Sequence, residues 1–86
     1  MKKLWEDSAW SDYLYWQDTD KKIHQKINEL IKSCDRTPFS GIGKPERLKG
    51  ILSGYWSRRI NKEHRLVYKA ENETISIIQC RFHYKQ

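Results

Sequence analysis

The sequence lacks most of what covalent or metal bracing of a small protein requires. It has two cysteines, Cys34 and Cys80, in 86 residues, too few for a disulfide framework. They allow one bridge, but the expectation is two reduced, buried thiols. His24, His64 and His83 are far apart and no CxxC accompanies them, so no zinc-type ligand set is expected, and no cofactor. Long apolar runs are also missing. Met1-Lys2-Lys3-Leu4-Trp5 begins basic and no apolar stretch follows, so neither a signal peptide nor a membrane span is expected and the chain reads as cytoplasmic. Gly41-Ile42-Gly43-Lys44 falls short of a P-loop. Ser8, Ser57 and the cysteines form no nucleophile–base arrangement. No repeat, linker or low-complexity segment interrupts the chain, so one domain is expected over residues 1–86.

Acids are scarce relative to bases. Eleven Asp and Glu against 17 Lys and Arg leave a net charge of +6. That balance suits a polyanionic partner, or simply a solvated basic face. Four tryptophans in a chain with 13% aromatic residues can supply much of a compact core, which speaks against a disordered chain.

Hydrophobic spacing divides the chain in two. Lys3–Trp5 reads as a short first strand. Asp7 or Ser8 can cap a helix to about Gln17, with Trp10, Tyr13 and Leu14 on one face. Thr19 can cap a second helix to about Cys34, whose apolar stripe is Ile23, Ile27, Leu30, Ile31 and Cys34. Residues 35–47 carry Pro38, Gly41, Gly43 and Pro45 and read as a loop of functional length. Strands follow at Tyr55–Ile60, His64–Ala70 and Ile75–Phe82, with turns at Asn61-Lys62-Glu63 and near Asn72-Glu73. The expected fold is α+β, two N-terminal helices packed on a small, mainly antiparallel sheet.

Polarity suggests the registers. If Ile60 faces His64, then Trp56 faces Tyr68 and Arg59 faces Arg65. If Leu66 faces Cys80, then Tyr68 faces Ile78, Arg65 faces Arg81 and His64 faces Phe82. Trp56, Ile60, Leu66, Tyr68, Ile78, Cys80 and Phe82 then make a core face. Arg59, Arg65 and Arg81 gather on the other, with His83 just beyond. Arg58 falls on the apolar face in this register, from which it is expected to snorkel to an edge. Like charges opposite one another destabilise a sheet. A bound phosphate would remove the repulsion of the arginine row, and the guanidinium suits it; the competing reading is a row splayed into solvent.

Cutting RNA without a metal needs a base for the 2′-hydroxyl, a cation for the phosphorane and an acid for the departing 5′-oxygen. Glu46 lies in the basic loop Lys44-Pro45-Glu46-Arg47-Leu48-Lys49, where Lys44 and Lys49 add candidate substrate-binding cations. Arg59, Arg65 and Arg81 are candidates for the phosphate. His83 brings an imidazole, the side chain suited to proton transfer near neutral pH, and Tyr84 can stack on a base or donate a hydrogen bond. The residues themselves lead as far as a basic α+β domain with a phosphate site. A salt-bridged Glu46 and a solvated His83 are the plainer alternatives.

Several segments together resemble one family. Trp10-Ser11-Asp12-Tyr13-Leu14-Tyr15-Trp16-Gln17, Asn28-Glu29-Leu30-Ile31-Lys32 and Thr37-Pro38-Phe39 are similar to the first half of the YoeB/Txe toxins, relatives of RelE. Gly41-Ile42-Gly43-Lys44-Pro45-Glu46, Ser53-Gly54-Tyr55-Trp56-Ser57-Arg58-Arg59-Ile60, His64-Arg65-Leu66-Val67-Tyr68 and Arg81-Phe82-His83-Tyr84 resemble its loop, hairpin and C-terminal end. The resemblance implies a RelE-like, microbial-ribonuclease-like fold, usually dimeric. It implies metal-independent cleavage of mRNA in the ribosomal A site, a YefM/Axe-type antitoxin, and promoter DNA binding only as the toxin–antitoxin complex. Carried over residue by residue, Glu46 is the general base, Arg65 the phosphate stabiliser and His83 the general acid. Tyr84 completes the site and Arg59 assists. Arg47 stands where the family commonly has proline, and Lys85-Gln86 extends past the tyrosine that often ends these chains. Two other readings stay open: a nonenzymatic RNA-binding module, which would not need an acid beside phosphate, and an antitoxin-bound repressor subunit.

Overall fold

The computed structural model describes residues 1–84. The influence of Lys85-Gln86 on Tyr84 therefore lies outside the described residues. Strand β1 (Lys2–Trp5) leads into helix α1 (Asp7–Thr19) and helix α2 (Lys21–Arg36). A loop then carries the short β2 (Glu46–Arg47) and a 3-10 turn (Gly50–Leu52), followed by β3 (Trp56–Arg59), β4 (Arg65–Glu71) and β5 (Thr74–Gln79). The sheet order is β1-β5-β4-β3-β2. β1 runs parallel to β5, and the other pairings are antiparallel.

The helices begin one residue away from the expected caps. Glu6 precedes α1 without a side-chain cap. At α2 the cap is Asp20 rather than Thr19: its carboxylate accepts from the amides of Lys22 and Ile23, satisfying donors that no helical carbonyl can reach. Thr19 ends α1 instead, donating its hydroxyl to the Tyr15 carbonyl at 2.7 Å. α2 buries Ile27, Leu30 and Cys34 as its stripe predicts, with Ile23 and Ile31 half-buried at the edges.

α1 turns differently from the expectation. Ala9 and Trp16 are buried, while Trp10 and Leu14 stay exposed. The reason is the indole of Trp16, whose Nε1 donates to the Cys80 carbonyl at 2.8 Å and fixes the helix against the chain beyond β5. Trp10 stacks on Tyr13 at the surface, 5.5 Å between rings.

The first hairpin has the expected register, with Trp56 opposite Tyr68 and Arg59 opposite Arg65. The second keeps the expected register at Val67, which faces Gln79, and then loses it. An irregularity between Val67 and Tyr68 sets Tyr68 against Ile77 rather than Ile78. A bulge inserts one extra residue and reverses the alternation beyond it. Ile75 and Ile77 thus join Leu66, Tyr68 and Cys80 in the core, and Ile78 is only half-buried. β5 ends at Gln79. Phe82, expected in the core, is 59% exposed, with φ at +64°.

Arg58 is the main correction on the core face. It does not snorkel: its exposure is 0%. Its Nε donates to the Tyr68 hydroxyl, one terminal nitrogen to Ser33 Oγ and the Ile42 carbonyl, the other to the carbonyls of Thr37 and Ser40, at 2.6–3.0 Å. One guanidinium thus nails the 37–42 loop to β3 and α2. A buried cation is tolerated only when its donors are met in this way. Tyr68, buried beside it, donates its hydroxyl to the Pro38 carbonyl at 2.6 Å, and burial pushes its pKa up to about 12. Cys34 and Cys80 are both free and buried, and burial raises the Cys80 thiol to about 12.

Candidate active site

The helices cover one face of the sheet. On the other, β2, β3, β4 and the C-terminal segment enclose a hollow of about 320 Å³ lined by Lys44, Glu46, Ser57, Arg59, Arg65, His83 and Tyr84. Residues far apart in sequence meet here through strand pairing. Glu46 sits opposite Ser57 across β2 and β3. Arg59 sits opposite Arg65 across β3 and β4. Alternation along β3 aims Ser57 and Arg59 into the hollow while Arg58 enters the core.

The loop reaches this face because Gly43 can approach where other residues cannot. Its φ is +82°, and a Cβ there would meet Leu30 Cδ2 at 2.6 Å and the Arg59 carbonyl at 3.3 Å. Its carbonyl accepts from the Arg59 amide at 2.7 Å. Lys44, also left-handed at φ +50°, is thereby delivered beside Arg59.

Arg65 is aimed by its turn. One terminal nitrogen donates to the carbonyls of Asn61, Lys62 and His64 at 2.8–3.3 Å. Among the described residues its other two nitrogens have no hydrogen-bond partner, so they remain available to an anion. The same turn is held by Asn61 Oδ1, which accepts from the amides of Glu63 and His64.

His83 and Tyr84 lie past the last strand, and four side chains hold the segment in place. Asp12 accepts from the Cys80 amide at 3.2 Å, and Trp16 donates to the Cys80 carbonyl. His64 Nδ1 accepts from the Phe82 amide at 2.7 Å, and the Phe82 carbonyl accepts from the Arg65 amide. The Gln79 side-chain amide donates to the carbonyls of Arg81, Phe82 and His83, at 2.8, 3.1 and 2.8 Å. Burial raises the Asp12 pKa, opposed by its bond from Cys80 and by Arg81 and His64 nearby. The outcome is an exposed His83 whose ring stacks on Tyr84, centroids 4.6 Å apart. The Tyr84 hydroxyl donates to Glu46 Oε2 at 3.3 Å, closing the hollow from base loop to C-terminal segment.

Two candidates are not brought here. Arg81 was expected in the arginine row, but the strand ends before it and its guanidinium lies on aromatic faces. Its Cζ is 3.7 Å from the Tyr15 ring centroid and 4.5 Å from that of Phe82. Lys49 follows the end of β2 and does not line the hollow. Ser57, Gln79 and His64 are not among the site candidates that the sequence suggests. Only Ser57 carried a signal, since it shares the parity of Arg59 on β3.

The hollow can hold an anion against Lys44, Arg59 and Arg65, with a carboxylate on one side and an imidazole–phenol pair on the other. Among the described residues no group of three or more His, Cys, Asp or Glu is placed to hold a metal ion, and no helix is long and apolar enough to cross a membrane.

Residues 5–84 match the family described as YoeB-like toxin of bacterial type II toxin–antitoxin system. The chain is 61% identical over 84 residues to toxin YoeB of Escherichia coli K12, covering 98% of this chain and all of that one. It superposes on a YoeB/ParE toxin from Agrobacterium tumefaciens with a TM-score of 0.94 at 55% identity, covering 98% and 100%. Against the toxin in a heterotetrameric YoeB–YefM complex from Staphylococcus aureus the TM-score is 0.91 at 52% identity, covering 98% of each. A YoeB dimer from the same organism gives 0.92, also at 52% identity and 98% of each.

Proposed function

Because this chain belongs to the YoeB-like toxins of bacterial type II toxin–antitoxin systems, we propose that its toxicity is that of a metal-independent endoribonuclease acting on mRNA in the ribosomal A site. The observation that carries this reading is the meeting of one carboxylate, two arginines and a histidine–tyrosine pair in a single hollow. A simple RNA-binding surface gains nothing from Glu46, because a carboxylate repels phosphate.

In this mechanism Glu46 removes the proton from the 2′-hydroxyl. The freed oxygen attacks the adjacent phosphorus. Arg65 and Arg59 take up the charge that develops on the phosphorane, with Lys44 alongside. The bond from phosphorus to the 5′-oxygen breaks, and His83, in its imidazolium form, gives that oxygen its proton. Tyr84, bonded to Glu46 and stacked on His83, orients both and can stack on a base. The products are a 2′,3′-cyclic phosphate and a 5′-hydroxyl. The ribosome supplies the alignment of the scissile phosphate, a contribution that can reach several kcal/mol.

The whole chain, residues 1–86, acts in this scheme as one cytoplasmic toxin domain and associates as a homodimer. A YefM/Axe-type antitoxin inhibits it, and the pair, rather than the toxin alone, binds promoter DNA. The test is cleavage of ribosome-bound mRNA in the presence of chelator, with end-group analysis. Cyclic phosphate and 5′-hydroxyl ends that vanish with Glu46→Gln support the mechanism; a 5′-phosphate product overturns it.

A further inference from the structure

A second hollow, of about 340 Å³, adjoins the first. Lys26, Gly43, Lys44, Arg59, Ile60, Asn61 and Lys62 line it. Lys44 and Arg59 belong to both hollows, so the two share a wall. Four of the seven lining residues are cations and none is an acid.

Among the described residues no acid pairs with these charges. The ion pairs among the described residues are Met1 and Lys3 with Asp35, and Lys69 with Glu71; none involves the hollow. Lys26 is half-buried, its stem against the wall of the hollow. Like charges gathered this closely repel unless an anion joins them.

The frame around the cations is well determined. Gly43 is pinned to Arg59 by the 2.7 Å backbone bond and packs against Leu30 of α2. That places Lys44 of the loop, Lys26 of the helix and Arg59 of the strand around one opening. Lys62 stands on the turn whose carbonyls are gripped by Arg65. The residue assigned to the scissile phosphate thus also braces the far wall of the neighbouring hollow.

We propose that this second hollow is a phosphate subsite, holding the phosphate next along the RNA strand from the one cleaved. The inference rests on the ribonuclease reading above and deepens it. Lys26 and Lys62 supply the contacts peculiar to this subsite, while Lys44 and Arg59 bridge the two phosphates. Gly43, Ile60 and Asn61 form its remaining walls.

The experiment compares two uncleavable probes on the full chain. One is a 2′-O-methyl dinucleotide with a single phosphate, the other a 2′-O-methyl tetranucleotide with three. Affinity is measured over a range of salt concentrations. For single strands each neutralised phosphate contributes about 0.7 to the slope of log affinity against log salt. The tetranucleotide is expected to bind tighter, with a slope steeper by at least about 0.7. Lys26→Ala with Lys62→Ala should erase that excess. Lys22→Ala with Lys32→Ala, which removes the same two charges from α2 outside the hollow, should leave it in place. Equal slopes for the two probes, or failure of both to bind, would overturn the subsite and leave the ribonuclease reading standing, since that reading is decided by end-group analysis on ribosome-bound mRNA. A loss of hexaglutamate binding in the Lys26→Ala, Lys62→Ala protein with tetranucleotide binding intact would also overturn it, assigning the hollow to an acidic protein segment.

Discussion

Arg58 and Arg59 are adjacent on the same strand and have opposite fates. Arg58 enters the helix-covered face, where its side chain makes five hydrogen bonds and no water reaches it. Arg59 enters the open face, beside Arg65 and Lys44, with no ion pair among the described residues. The side chains are chemically identical; what differs is whether the fold supplies acceptors. Where it does, the cation is structural. Where it withholds them, the cation stays open to an anion, and the sheet bears the repulsion.

The sharpest test of that contrast removes the buried member. Arg58→Leu removes all five bonds, leaving Ser33 Oγ and the Ile42 carbonyl without this donor, while the Ser40 carbonyl keeps only Thr37 Oγ1 and the Thr37 carbonyl only the Ser40 amide. A buried acceptor left unpaired costs about 1–3 kcal/mol, and a domain's whole stability is about 5–15 kcal/mol. The protein is expected to lose its cooperative unfolding transition by circular dichroism. Arg58→Lys should rescue little, because one ammonium cannot span five acceptors.

On the open face the order reverses, with activity lost and fold retained. Glu46→Gln and His83→Gln should each lower cleavage by about 10²–10⁴-fold, and Arg65→Ala by about 10²–10³-fold, each keeping the native melting curve. Single-turnover rates on ribosome-bound mRNA, set beside thermal melts, separate the two faces. An Arg65→Ala protein that melted much earlier than the parent would break the comparison.

A smaller effect measures the repulsion itself. Phosphate or sulfate should raise the melting temperature more than chloride at equal ionic strength, because they bind the native state; at one hundred times the dissociation constant the gain is about 2.7 kcal/mol. Arg65→Ala should shrink the difference. The same response to all three anions would mean that the open-face cations share no anion site.

The smallest effect lies at the surface, away from both arginines. Lys3 and the N-terminal ammonium hold the Asp35 carboxyl below its ordinary pKa. A depressed acid stabilises the fold above the unfolded value and loses that contribution as pH falls through the folded one. Wild type and Asp35→Asn should therefore differ slightly near neutrality and converge below about pH 3 in thermal melts.

Local physics made much of this molecule readable. Periodicity alone located both helices, the stripe of α2 and the last three strands, because side-chain burial repeats with the backbone's own period. The first hairpin register followed from matching apolar partners, and with it the Arg59–Arg65 pair. What failed was non-local. β2 is two residues inside a loop and carries no period. The cap moved from Thr19 to Asp20, a shift no spacing rule resolves. The bulge at Val67–Tyr68 carried Ile77 into the core in place of Ile78, and the end of β5 at Gln79 released Arg81 to the rings of Tyr15 and Phe82.

The sequence by itself therefore determined which residue types the protein has for chemistry, their order, and the elements that carry most of them. The tertiary structure alone decided which cations serve the fold and which the site. Nothing in Ser57-Arg58-Arg59 says that five acceptors from α2, the 37–42 loop and Tyr68 converge on Arg58 while the Arg59 side chain meets none among the described residues. Nor does Gln79-Cys80-Arg81-Phe82-His83 announce that one amide gathers three carbonyls and presents His83 to Glu46's side of the sheet. Those outcomes depend on groups up to 68 residues apart, as with Asp12 and the Cys80 amide. Hydrogen bonding at such range follows from packing geometry, which no local pattern encodes.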